Sequence, residues 1–118
     1  MQKTVLIVED EFLIAMDLVR MVEGDGWRII GPVATVQDAL RLLDAELPSV
    51  AMLDVNLGKE LVTPVAERLK AQNVPFAVAS AYDKPESHGG DVLAGVPNVG
   101  KPAAERRLLT ILKQLTES

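Results

Sequence analysis

Ser49-Val50-Ala51-Met52-Leu53-Asp54 is a short apolar run closed by a carboxylate, and Val55-Asn56-Leu57-Gly58 follows it as a loop. A continuous apolar stretch of this length, without polar alternation, reads as a strand buried on both faces. Such strands belong to parallel sheets covered by helices. In open α/β sheets, ligands bind in the crevice outside the carboxyl ends of the strands. Asp54 therefore stands where this class of fold carries its chemistry.

Two other runs end in residues of complementary charge. Thr4-Val5-Leu6-Ile7-Val8 leads into Glu9-Asp10-Glu11, and Val96-Pro97-Asn98-Val99-Gly100 leads into Lys101-Pro102. One carboxylate to react, an acidic pair to hold a divalent cation and a lysine to hold a negative group point to an aspartate that accepts a phosphoryl group.

The segments between these runs alternate in period. Phe12, Ala15, Met16, Val19 and Val22 recur at helical spacing, and Gly24 and Gly26 end that helix. Residues 27–33, Trp27 to Val33, read as a second strand. Thr35-Val36-Gln37-Asp38 resembles a capping box with Asp in place of Glu, and it opens a helix carrying Val36, Ala39, Leu40, Leu43 and Leu47. A helix from about 61 to 72 is expected to bury Leu61, Val65 and Leu69, with Pro64 tolerated only in its first turn. Residues 76–80 read as a strand and 103–116 as a last helix. Strands alternating with helices predict an α/β fold, a single doubly wound parallel sheet with helices on both faces. The fourth helix should be short or distorted, because Pro85, Gly89, Gly90 and Gly95 interrupt it.

The totals narrow the function. With 118 residues the chain is expected to be one domain, 1–118, with no output domain. A formal net charge of −5 argues against nucleic acid and anionic membranes as partners. The absence of cysteine excludes a disulfide framework and thiolate metal sites. The first apolar run is too short for a signal sequence or a membrane span, so a soluble, cytoplasmic protein with no membrane insertion is expected.

Each candidate residue also has a plainer reading. Glu9, Asp10 and Glu11 would serve as helix N-terminal acids, but that does not explain why Glu9 and Asp10 share a sheet edge with Asp54. Like charges there repel unless a cation sits between them. Magnesium (Mg2+) suits oxygen ligands and keeps several waters. Its ligands would be the Asp10 and Asp54 carboxylates and the Asn56 carbonyl, with Glu9 acting directly or through water. A cis Lys101-Pro102 bond would aim the ammonium inward. Ser80, at a strand end, would donate to a phosphate oxygen. There is no P-loop and no G-x-G-x-x-G, and His88 is the only histidine. Arg106 and Arg107 read as solvated.

Glu9-Asp10, Asp54, Ser80-Ala81 and Lys101-Pro102 together resemble the receiver domains of bacterial two-component response regulators, the CheY-like family. The resemblance covers essentially the whole chain. It implies a five-stranded parallel sheet of order 2-1-3-4-5, and an Asp54 that takes phosphate from a histidine kinase or histidine phosphotransfer protein with magnesium present. Ser80 and Lys101 would contact the phosphoryl group, and the change would alter binding of a downstream protein. Such a module is no enzyme beyond its own phosphorylation and dephosphorylation. Receivers of this kind usually carry Tyr or Phe three residues before the lysine as a rotating switch, and Asn98 stands there instead. Pro75-Phe76-Ala77-Val78-Ala79-Ser80-Ala81-Tyr82 resembles the "FAT GUY" subgroup of stand-alone receivers, with Ser for Thr and Ala for Gly, which makes Tyr82 the substitute candidate for the switch. Two alternatives stay open: a small phosphatase with Asp54 as nucleophile, and a receiver-like interaction domain that is never phosphorylated.

Overall fold

The computed structural model describes residues 3–81 and 84–117. The five residues of β1 (Thr4–Val8) are all buried, and their alternation divides the core. Val5 and Ile7 pack with Leu18, Met21 and Val22 of α1 (Phe12–Gly24) and with Leu108, Ile111 and Leu112 of α5 (Glu105–Thr116). Leu6 and Val8 face the other layer, against Ala39 and Leu43 of α2 (Val36–Ala45) and Val65, Ala66 and Leu69 of α3 (Thr63–Ala71). A strand covered on both sides has no polar face, which is why its sequence shows no alternation.

β1 is central. It pairs in parallel with β2 (Arg28–Val33) and with β3 (Val50–Asp54), and β3 pairs with β4 (Phe76–Ala79). The order is β2-β1-β3-β4. All carboxyl ends therefore lie at one edge, with Asp54 opposite Ala79 and Val8 opposite Leu53. At the amino edge, Trp27 is buried beside α1 and α5. Its indole N–H donates to Asp25 Oδ2 at 3.2 Å, and Lys3 Nζ lies 5.7 Å from the ring centre.

The helix ends follow local chemistry. Thr35 Oγ1 accepts from the Asp38 amide at 3.1 Å, so the expected cap forms. Pro64 sits in the first turn of α3. The fourth helix is a single turn, α4 (Glu86–Gly89), followed by a 3₁₀ turn at Asp91–Leu93. Gly89 is required there by space: a Cβ would stand 2.4 Å from Leu93 Cδ1 and 3.2 Å from Val55 Cγ1. Among the described residues no helix is long and apolar enough to cross a membrane.

Several expectations need correction. Among the described residues the sheet has four strands, not five. The segment 96–100 touches β4 through one parallel bridge, Val78 to Asn98, with Val78 N donating to Pro97 O and Val99 N to Val78 O. Pro97 has no N–H to donate, and Gly100 turns away at φ 84°, so the ladder cannot extend. In α1 the buried residues are Ala15, Leu18, Met21 and Val22, whereas Phe12 is 72% exposed and Met16 faces solvent. Leu61 is exposed too. It belongs to a small antiparallel hairpin, Asn56–Leu57 against Glu60–Leu61, that replaces the expected start of α3. Glu60 ties this hairpin to α2 by accepting from the Val36 amide at 3.2 Å. Leu47 lies beyond the end of α2 and is exposed.

Candidate functional site

The carboxyl ends of β1 and β3, together with the loop that follows residue 100, build one cluster. The Glu9 amide donates to Val33 O at 2.9 Å, holding Glu9 in line with the sheet while its side chain turns inward. Glu9 and Asp54 are 3% and 6% exposed. Asp10 is exposed at the rim. One oxygen from each of these three carboxylates lies within 4.8 Å of the others.

Lys101 closes the cluster. Its Nζ donates to Asp54 Oδ2 at 3.1 Å and lies 3.3 Å from Glu9 Oε1 and 3.6 Å from Glu11 Oε1. The Lys101-Pro102 peptide is cis. Glu9 Oε1 is buried and has no directed hydrogen-bond donor among the described residues. Glu9 Oε2 accepts from the Glu11 amide at 3.4 Å, and Asp54 Oδ1 accepts from the Asn56 amide at 3.4 Å.

The electrostatics follow from this crowding. Burial pushes the Glu9 carboxyl up to about 8, and its hydrogen bond to Asp54 and the Asp54 charge push the same way, against Lys101 and the Glu11 amide. Burial alone would lower the Lys101 ammonium, but the hydrogen bond and charge of Asp54, with the Glu9 carboxyl close by, hold it above its ordinary value.

A cavity of about 320 Å³ opens over the cluster, lined by Asp10, Asp54, Asn56, Ser80 and Lys101, with Glu11, Gly58 and Ala81 completing the wall. Ser80 is buried at its base. Three clustered carboxylates, one with a buried oxygen lacking a donor, make a hard-oxygen site suited to a cation such as magnesium. The arrangement presents one carboxylate to an incoming electrophile, beside one ammonium and space for a small anionic group.

Asp54, Glu9, Asp10, Asn56, Ser80 and Lys101 are thus brought together. Asn98 stands behind them rather than in the cavity. Its Oδ1 accepts from the Ser80 amide at 3.1 Å and the Gly100 amide at 2.9 Å. Tyr82 lies outside the described residues. Sequence reasoning missed Arg107: far from only meeting solvent, it donates to the Asn98 carbonyl through Nε at 3.2 Å and Nη2 at 3.0 Å. It also left out Glu11, whose place in the acidic run Glu9-Asp10-Glu11 was the available signal.

No protein-family model matches the chain. Among curated proteins it is similar to the phyllosphere-induced regulator PhyR of Methylorubrum extorquens, 36% identical over 85 residues, covering 70% of this chain. It is also similar to the transcriptional regulatory protein PdtaR of Mycobacterium tuberculosis, 30% identical over 83 residues and again 70% of this chain. The chain spans 32% of that PhyR and 40% of PdtaR. Among solved structures, SdrG of Sphingomonas melonis Fr1 is 35% identical, covers 98% of both chains and superposes with a TM-score of 0.83.

Proposed function

The chain belongs to the receiver domains of bacterial response regulators, and from that premise we propose that it is a phosphoacceptor module of a two-component phosphorelay, with Asp54 as the acceptor. The observation that carries this reading is the Lys101 ammonium, 3.1 Å from a buried Asp54 carboxylate that also faces Glu9 and Asp10.

An Asp54 oxygen attacks the phosphorus of the donor. The new bond is an acyl phosphate, and the bond from phosphorus to the leaving group breaks. With a phosphohistidine donor the imidazole leaves; with acetyl phosphate, acetate leaves. Lys101 offsets the charge gathering on the phosphoryl oxygens, and the Ser80 hydroxyl donates to one of them. Asp10, Asp54 and the Asn56 carbonyl would hold magnesium, with Glu9 beside them. When bound, the ion neutralises charge between these carboxylates and the phosphoryl oxygens. The donor partner is a histidine kinase or phosphotransfer protein, and a downstream protein reads the phosphorylated form.

A phosphatase that cleaves the acyl phosphate for turnover is disfavoured, because the position two residues past the nucleophile, where an acid/base carboxylate is wanted, is Asn56. The test is intact mass after incubation with acetyl phosphate and magnesium. One added phosphoryl group is expected in the wild type and none in Asp54→Asn. An unmodified wild type, or modification that survives in Asp54→Asn, overturns the reading.

A further inference from the structure

We propose that Glu60 is a positioning residue for the cation site: its carboxylate pins the hairpin of residues 56–61 to the N-terminus of α2, and this pin sets how tightly the site holds a divalent cation. The inference rests on the reading of Asp10, Asp54 and the Asn56 carbonyl as the ligand set.

The loop after Asp54 folds back on itself. Asn56 pairs with Leu61 and Leu57 with Glu60, antiparallel, around a tip of Gly58 and Lys59, and the Val62 amide donates to Val55 O at 3.0 Å. Strands this short do not hold a hairpin in water by themselves. Two anchors fix this one, and both belong to the same rung. Leu57 is buried in the core layer that Val36 of α2 also lines. Opposite it, Glu60 Oε2 accepts from the Val36 amide at 3.2 Å. Residues facing each other across an antiparallel pair point the same way, so the core and the helix grip the hairpin from one side.

Val36 opens α2, and its N–H is one of the four that a helix leaves without an internal partner. Thr35 Oγ1 serves the Asp38 amide, and Val36 N is served by Glu60, 24 residues away in sequence. A carboxylate is also favoured at this end of the helix dipole. The same hairpin reaches the site. The Asn56 amide donates to Asp54 Oδ1 at 3.4 Å, Asn56 and Gly58 line the cavity with Asp10, and a Cβ on Gly58 would stand 3.8 Å from Asp10 Oδ2. Asp54 is held by the sheet, in register with Ala79. The Asn56 carbonyl is held only as firmly as the hairpin that carries it. A ligand group that must be ordered when the ion binds subtracts that ordering from affinity.

The test is calorimetric titration of the EDTA-treated protein with magnesium chloride after removal of the chelator, with exchange of the Val36 amide followed by NMR. Glu60→Ala should bind magnesium roughly three- to tenfold more weakly and speed exchange at Val36 by about the same factor. Two further variants separate the lost bond from the lost negative charge. Glu60→Gln keeps an acceptor oxygen without the charge, and should restore slow exchange and bind within about twofold of wild type. Val36→Pro removes the donor while Glu60 keeps its charge. Proline suits the first helical position, and the extended Thr35 before it is compatible. Val36→Pro should weaken magnesium binding as Glu60→Ala does. With acetyl phosphate, the magnesium concentration for half-maximal phosphorylation should rise in both weakened variants, while the rate at saturating magnesium stays at the wild-type value.

Unchanged magnesium affinity in Glu60→Ala overturns the proposal, as does a Glu60→Gln as weak as Glu60→Ala, which would trace the effect to charge. If Glu60→Ala does not fold, Val36→Pro decides, and wild-type affinity there overturns the proposal. A wild type that binds no magnesium refutes the ligand set and the proposal with it. A wild type that binds, with Glu60→Ala binding equally, refutes the proposal alone.

Discussion

Lys101→Ala removes the one cation among the described residues that faces the two buried carboxylates, Glu9 and Asp54. Glu11, the third acidic neighbour, is 61% exposed at its side chain and contributes little. The Glu9 and Asp54 side chains are 1% and 7% exposed, and Lys101 is 21% exposed. Breaking a buried ion pair by deleting one partner costs about 3–5 kcal/mol, because a charge is left uncompensated. Here the loss is eased. Glu9, with its carboxyl pushed up to about 8, is largely protonated at neutral pH, so Asp54 is the main charge stranded. That places the cost at or just below the bottom of that range, roughly 2–3 kcal/mol, which for a chain of this size is a fall in Tm of roughly 6–12 °C.

The assay is calorimetry at pH 7, in EDTA and then in magnesium. The variant should melt lower in EDTA and gain more from magnesium than the wild type does. The ammonium and the metal compete for the same carboxylates, and the variant has lost the competitor. A Tm within about 4 °C of wild type in EDTA would mean the pair behaves as a solvated surface bridge. Together with an unchanged magnesium response, it would refute this account of the site.

Asp10→Asn should blunt the thermal shift with magnesium, which in the wild type reaches about 2.7 kcal/mol at a concentration a hundredfold above Kd; equal shifts remove Asp10 from the ligand set. Glu9 has a folded-state pKa above its unfolded value of 4.5, so its contribution to metal-free stability is fully present below about 4.5 and lost as pH rises through about 8. Thermal melts in EDTA across that range should show this fall in the wild type and not in Glu9→Gln; parallel curves contradict it. Gly89→Ala forces a methyl against Leu93 and Val55, both about 1% exposed, and should destabilise by about 1–3 kcal/mol in urea unfolding, with no effect expected if the turn simply slides outward.

Much of the fold was legible because burial on both faces leaves a mark. Val5 to Val8 and Val50 to Leu53 are apolar without alternation, and parallel strands bring their carboxyl ends to one edge. Those two facts suffice to gather Glu9, Asp10 and Asp54, whereas Lys101 reaches them from a segment that only bridges the sheet edge. The face of α1 was not legible for the opposite reason. Phe12, Leu13, Ile14, Ala15, Met16, Leu18 and Val19 surround the helix with apolar groups, so two stripes fit the same spacing. The missing fifth strand is a failure of pairing between distant segments, and only Pro97 hinted at it. The Asn98 contacts depend on one rotamer beside an interrupted ladder, which no residue pattern encodes. The hairpin at residues 56–61 is too short to register as alternation.

Trp27 gives the molecule a built-in division of optical signals. It is the only tryptophan, and it sits in the core layer of α1 and α5 at the amino edge of the sheet. The acidic cluster lies at the other edge, the length of a five-residue strand away, about 17 Å. Indole emission will therefore follow the collapse of the whole core while staying nearly blind to events at Asp54. A titration with magnesium that leaves the emission spectrum still, yet moves its melting curve, separates binding from unfolding in one cuvette without any added dye.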